Sequence, residues 1–434
     1  MTGPAVSPSS TPVGLGLAPT RVTLDNGVVV LVRETRKTPA VSINLALRAG
    51  SVCDPPATPG ASHLLGCVID RGTRGTTSRS AAEIAEDMEG RGITLTISVT
   101  RHLVSMVCTC LAEDVDPVLT LLGDILMAPS VPESELATRK GEVITAIRQD
   151  EDNPAVQAVE ALMALLYQDG HPYGRRAKGT IPVVEGLTRN DLLGLHGARF
   201  RPSELTAVIV GDVDVSKAVD LAGRVFGGWR AALPTAIALP PVVPATGRRR
   251  VVVPMMNKSQ ADIAYGFATI TRADPDYYVF WLMNNALGQY AIGGRLGDSI
   301  RERQGMAYYV SSVLDANLAA GPLVIRAGVS PANVDRATAS IDEELTRLRR
   351  EGLTAKELKE SRQYMIGSMP RALETNAGIA TFLQNAELFG LGLDYDLRLP
   401  ELLGGVTLDA VQRVAHRWLD PATATVVIAG PYQE

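Results

Sequence analysis

No stretch of this 434-residue chain is apolar enough to cross a membrane as a helix. A run of about 18 apolar residues is missing and the mean hydropathy is only +0.09. An excess of positive charge is missing too: 42 Lys and Arg stand against 47 Asp and Glu, a net charge of −5, which argues against a nucleic-acid binder. Cysteine is scarce, with four residues at 53, 67, 108 and 110. The C-x-C at Cys108 and Cys110 is not a zinc-knuckle spacing, and no second pair completes it. Both lie in the alternating run HLVSMVCTCL, so they share one strand face and are expected as buried free thiols, as in a reducing compartment. The N-terminus, rich in Pro, Ser, Thr and Gly, has neither a positive stretch nor an apolar core. We expect residues 1–19 to be a flexible leader and the chain to be cytoplasmic.

Apolar residues make up 46% and charged residues 21%, a globular balance at a length suited to about two domains. RVTLDNGVVVLVRE predicts a hairpin around Asp-Asn-Gly, and VSINLALRAG alternates as a strand. SAAEIAEDMEGRG opens on a capping box, Ser80 to Glu83, and ends at glycine. ITLTISVT and HLVSMVCTCLA predict paired strands, and helices are expected over PVLTLLGDILMAP and PESELATRKGEVITAIRQDED. Residues 231–247, AALPTAIALPPVVPATG, carry four prolines and no charge and are expected as an extended linker and hinge. Beyond it the pattern restarts. Residues 187–212 align with 406–431 at a constant offset without gaps, pairing Thr188 with Thr407, Pro202 with Pro421 and Gly211 with Gly430. The expected architecture is α+β: two homologous α/β sandwich domains, 20–230 and 248–434, joined by the Pro-rich linker. The charged helix after residue 333 is expected as a solvated face with pairs such as Glu343 with Arg347.

One segment has the look of a chemical site. GASHLLGCVIDRGT (60–73) places His63 and Cys67 four apart on one helical face, a spacing that suits either two metal ligands or a buried His beside a small thiol. With the repeat, this segment resembles the pitrilysin/insulinase family of zinc peptidases, which includes the mitochondrial processing peptidase and bacterial two-subunit relatives. That family carries G-x-x-H-F-L-E-H-x-x-F-K-G-T here. The resemblance makes His63 the first zinc ligand, puts Gly66 in place of the catalytic Glu, and puts Cys67 in place of the second His. The third ligand, a Glu in V-V-x-E-E-I-x-x-x-E-D-x-P, maps onto EVITAIRQDEDNP (142–154) with Ala146 at the ligand position. Counting from Cys67 favours Glu142 instead, one turn away on the same face. Catalytic zinc needs three protein ligands and a water, and hydrolysis needs a base. Gly66 supplies none.

Other family features are intact. HPYGRRAKGT (171–180) resembles H-P-x-G-x-x-x-x-G-T and is expected as a turn. LGQYAIGGRLGDSIRERQGMAYYVSS (287–312) resembles the family's S-R-L-x-x-x-L-R-x-x-x-G-x-x-Y through Arg295, Leu296, Arg301, Gly305 and Tyr308. Its Gly-rich start lacks G-K-[ST], so a nucleotide site is not expected. In the family the Arg/Tyr pair reaches a substrate near the zinc of another domain or subunit. Arg offers a fork of N–H donors, and Tyr offers a hydroxyl to an oxyanion. The resemblance implies a non-catalytic, substrate-binding subunit of a two-subunit zinc metallopeptidase, with Arg301 and Tyr308 acting in trans. No cofactor is expected in this chain, and zinc is expected in a homologous partner with an intact H-x-x-E-H. A peptide is the expected substrate, with no nucleic acid and no membrane span. The alternatives are a scaffold homologue like the core subunits of respiratory complexes, and an active peptidase with an atypical metal site.

Overall fold

The computed structural model describes residues 16–75, 78–168, 170–235, 237, 239–243, 245–289 and 294–433. The expected leader falls largely on residues 1–15, outside the described residues. Its last residues are anchored, since the Leu17 amide donates to Asp396 Oδ2 at 2.7 Å.

In chain order the strands are β1 (Thr20–Thr23), β2 (Val29–Glu34), β3 (Ala40–Leu47), β4 (Gly72–Arg74), β5 (Ser78–Ser80), β6 (Thr96–Val99), β7 (Val104–Leu111), β8 (Leu205–Gly211), β9 (Arg249–Pro254), β10 (Ala261–Ala268), β11 (Ala307–Leu314), β12 (Pro322–Val329) and β13 (Thr425–Gly430). They form two large mixed sheets, β1-β2-β8-β3-β7-β6 and β11-β12-β10-β13-β9, plus the small β4-β5 pair. The two sheets share one plan. β8 runs parallel to β2 and antiparallel to β3, and β13 runs parallel to β9 and antiparallel to β10. The expected mixed architecture is therefore present.

Each sheet packs one face on helices of its own half. The first core joins Val41, Ile43, Leu45 and Leu47 of β3 to Leu64, Leu65 and Val68 of the Ala61–Val68 helix, and it takes in Cys108 and Cys110 as expected. The other faces are covered reciprocally. The Pro154–Leu166 helix of the first half lays Ala158 and Leu162 on Ala264 of β10 and Val427 and Ala429 of β13. Gly266 permits this approach, because a Cβ there would sit 2.8 Å from Leu162 Cδ2. The Asn376–Leu388 helix of the second half lays Ile379, Ala380 and Leu383 on Leu31, Val208 and Val210. This explains a departure from simple alternation in β3. Its polar positions Ser42 and Asn44 are buried too, and Asn44 Nδ2 donates to Gln384 Oε1 at 3.4 Å.

Residues 231–247 contain no helix or strand among those described, and Ile237, Leu239 and Val242 pack half-buried on the cluster around the Pro154–Leu166 helix. Polar contacts also tie the halves together. Arg101 pairs with Asp315, the Tyr167 hydroxyl donates to Ala320 O at 2.9 Å, and the Ala319 amide donates to the Tyr173 hydroxyl at 3.3 Å. The Val334–Glu351 helix is only half solvated. Glu344 is buried, and Arg347 pairs with it, one residue from the Glu343 partner expected.

Candidate functional site

The Ala61–Val68 helix begins at Gly60, whose φ of 94° is left-handed. The carboxylate of Asp54 takes up its free N-terminal donors: Gly60 N and Ser62 N each donate at 2.8 Å, and Ser62 Oγ donates at 2.5 Å. The sequence reading did not single out Asp54, and its Asp-to-Gly-x-Ser spacing was the available signal.

On this helix His63 and Cys67 share a face, with Nε2 and Sγ 3.9 Å apart. Both are half-buried. Burial, then the Lys178 charge, pushes the His63 ring below its ordinary value. Burial, then the Glu142 charge, pushes the Cys67 thiol up. A thiolate ligand or nucleophile needs the opposite environment.

Gly66 is closed off as well as bare. A Cβ there would lie 2.5 Å from Val99 Cγ2 of β6. Val99 thus occupies the first step of any side chain that could supply a base.

The third position fares no better. The Glu133–Glu151 helix packs against the His63 helix and presents Ala146, a methyl group, at half burial. Glu142, the alternative, is 56% exposed and held by Arg139 Nη1, which donates to both its oxygens at 2.7 and 2.6 Å. No group of three or more His, Cys, Asp or Glu side chains among the described residues is placed to hold a metal ion. The donor set therefore does not fit a catalytic zinc: two side chains converge, the rest are a methyl, a hydrogen and a paired surface carboxylate.

The second constellation lies on the other sheet. Residues Gly297–Arg303 form a wide helical turn that ends at Gly305, whose φ of 61° is left-handed. The Gly305 amide donates to Arg301 O and the Met306 amide to Ile300 O, both at 3.0 Å, and the chain folds directly into β11. β11 is an edge strand, and its register with β12 slips between Ala307 and Tyr309. Tyr308 is the extra residue of this bulge and is 84% exposed. Its neighbour Tyr309 turns inward and donates to Asp262 Oδ1.

The arginines divide in the same way. Arg295, 8% exposed, donates from Nε and Nη2 to the two oxygens of Glu357 at 2.6 and 2.8 Å, and from Nη2 to Gly352 O at 2.8 Å. Burial would raise the Glu357 carboxyl, yet Arg295 and the Thr354 cap hold it at about 2. Arg301 is exposed, and among the described residues its ion pair is a loose 3.6 Å contact with the adjacent Glu302. Part of the Gly-rich turn, residues 290–293, lies outside the described residues.

Residues 29–178 match the family model described as insulinase (peptidase family M16), and residues 186–365 match the model described as peptidase M16 inactive domain. A zinc protease of Streptomyces coelicolor is 25% identical over 421 residues, covering 95% of this chain and 90% of the relative. One of Bacillus subtilis is 26% identical over 411 residues, covering 94% and 98%. Both are described as uncharacterized. Among solved structures, a peptidase M16 inactive domain from Pseudomonas fluorescens superposes with a TM-score of 0.89 at 23% identity, covering 96% of this chain and 99% of the other. A protease from Helicobacter pylori gives 0.87 at 18%, covering 95% and 99%.

Proposed function

Since the chain belongs to the insulinase (M16) peptidase family, we propose that it is the non-catalytic, substrate-contacting subunit of a two-chain zinc metallopeptidase. The observation carrying this reading is a contrast between two places. At the expected metal position His63 stands with Cys67 but without a third donor or a base, whereas Tyr308 on the edge strand β11 and Arg301 on the turn before it are exposed, with only the loose Arg301–Glu302 contact among the described residues. The partner is a homologue with an intact H-x-x-E-H, which holds the zinc, and the substrate is a peptide. The complex works in the cytoplasm, in keeping with four free thiols and no helix among the described residues long and apolar enough to cross a membrane.

In this arrangement the Arg301 guanidinium holds a carbonyl or carboxylate of the bound peptide. The Tyr308 hydroxyl donates to the oxygen on which negative charge develops as the scissile carbonyl is attacked. The partner supplies the metal-bound water and the base.

Co-expression with the nearest intact homologue followed by size-exclusion chromatography should give a stable heterodimer. Tyr308→Phe should lower its peptidase rate by about 10²-fold or more without dissociating it, the usual cost of losing one oxyanion donor. Arg301→Ala should act more on KM than on kcat. A monomeric chain beside its intact homologue, or a heterodimer with full activity after both substitutions, overturns the reading. The second outcome favours the scaffold alternative.

A further inference from the structure

A hollow of about 460 Å³ opens where the first half, the linker and the second half meet. Its charged lining comes from the first half. Arg48 follows β3, Arg199 ends the Arg189–Arg199 helix, and Glu204 ends the short Pro202–Glu204 turn. The Arg48 amide donates to Glu204 O at 3.1 Å, which ties two of these segments together. The apolar lining comes from elsewhere: Leu233 belongs to the linker and Leu318 to the connection between β11 and β12, and both are exposed. The charges do not cancel. Among the described residues neither arginine makes an ion pair, and Arg199 Nη1 donates only to a carbonyl, Thr235 O, at 2.7 Å. Two guanidinium groups therefore face the hollow with one carboxylate.

His102 adds a neutral donor to the same lining. The Tyr173 hydroxyl accepts from the Ala319 amide at 3.3 Å, and its own proton has His102 Nε2 as partner at 2.5 Å. The hydrogen of the neutral imidazole then sits on Nδ1. The polar groups are thus weighted toward N–H donors beside an apolar wall, a combination suited to an anion carried on an apolar body.

We propose that this hollow binds the free C-terminus of a peptide that ends in an apolar residue. Arg48 and Arg199 hold the carboxylate, and Leu233 and Leu318 cover the last side chain. Glu204 separates a peptide from a fatty acid, because a peptide brings an N–H beside its carboxylate for Glu204 to accept and a fatty acid brings none. Peptide-bond hydrolysis generates such termini, so the hollow can retain a cleaved peptide. The inference goes beyond the non-catalytic reading, and its test needs no partner.

The test is isothermal titration of the full chain with acetyl-alanyl-alanyl-leucine, with its C-terminal amide, and with dodecanoate. The acid should bind at least about tenfold more tightly than the amide, since only the acid offers a charged acceptor. Raising salt from about 50 to 300 mM should weaken the acid and leave the amide unchanged. Arg48→Gln and Arg199→Gln should each weaken the acid about fivefold or more and narrow the acid–amide ratio, while Arg336→Gln, on the exposed face of the Val334–Glu351 helix, should change neither. Circular dichroism and elution volume check the fold, and the acid–amide and salt comparisons use the unaltered chain, so they decide even if a variant is unstable. Equal affinity for acid and amide, no binding of the acid by about 1 mM, or tighter binding of dodecanoate than of the peptide acid overturns the inference. Each of these results leaves the non-catalytic reading intact, because that reading stands or falls with the heterodimer.

Discussion

Gly66→Ala gives a sign test of the closed metal position. In an ordinary helix interior this change stabilises by about 1 kcal/mol, because glycine gives up more backbone freedom. Here the new methyl would start 2.5 Å from Val99 Cγ2 and 4.0 Å from Ile97 Cγ2. Carbon atoms rest comfortably at about 3.5–4.0 Å, so the overlap is about 1 Å. Val99 lies on β6, where branching at Cβ restricts its χ1, so it yields only in part. Overpacking of this kind costs about 1–3 kcal/mol, which exceeds the propensity gain and leaves a net loss of about 1 kcal/mol. In a domain of this size that lowers Tm by about 2–4 °C. In a Val99→Ala background the obstacle is gone, and the same substitution should raise Tm by a similar amount. The two-by-two cycle should therefore show coupling of about 2 kcal/mol with a reversal of sign. Scanning calorimetry is the appropriate assay, because two halves can unfold in separate transitions and the one carrying the His63 helix must be followed. If Gly66→Ala raises Tm in both backgrounds, Val99 does not close the position and the argument fails. If the sign reverses, a catalytic Glu could return only together with a change at Val99.

Further expectations are open to direct measurement. The purified chain should contain well under one zinc per chain by elemental analysis and cleave no peptide alone. Arg301→Ala and Tyr308→Phe should each move Tm by no more than about 1–2 °C, since exposed side chains away from the core contribute within about 0.5 kcal/mol. His102, whose Nε2 lies 2.5 Å from the Tyr173 hydroxyl, is held neutral down to about 4 by burial and then by Arg101. The folded value is depressed, so the unfolded chain takes up the proton first. Stability should be full above about pH 6.5 and decline toward pH 4 by up to roughly 3 kcal/mol, and His102→Gln should flatten that part of the acid titration curve.

The features legible in the sequence were those decided by neighbouring residues. The repeat falls on equivalent pieces of structure: Thr188 and Thr407 cap the Arg189–Arg199 and Leu408–Trp418 helices, Pro202 and Pro421 open short turns, and Gly211 and Gly430 take φ of 147° and 140°. The Ser80–Glu83 capping box was equally plain, for the same reason. The features missed depend on distant partners. The Pro154–Leu166 helix was not singled out, because its apolar face answers to a sheet some hundred residues later. Val99 looks like any strand valine until the His63 helix is laid against it. Lys178 looks like a turn residue until the fold brings it to Asp150. His63, Gly66, Cys67 and Ala146 were named from the family resemblance, with Glu142 left open as the alternative to Ala146, and that resemblance could not say that Val99 crowds the space beside Gly66.

Two adjacent pairs of like residues separate what the fold uses from what it leaves outside. The Arg295 side chain is enclosed and pairs with Glu357 of the helix that begins after Thr354, and Tyr309 reaches Asp262 across the sheet. Packing and hydrogen bonding account for both. Arg301, six residues after Arg295, and Tyr308, next to Tyr309, have no such account. Ending the turn at Gly305 would serve folding equally well with another polar residue at 301. The bulge at Tyr308 gives up ladder pairing to aim a large ring into solvent. An exposed aromatic at an unpaired sheet edge invites association, a liability that proteins usually blunt with charge or cover. The proposed contact with a bound peptide would give these two exposed side chains a use. That is why the third helix position, the closed glycine and the open tyrosine together favour a chain that assists chemistry over one that performs it.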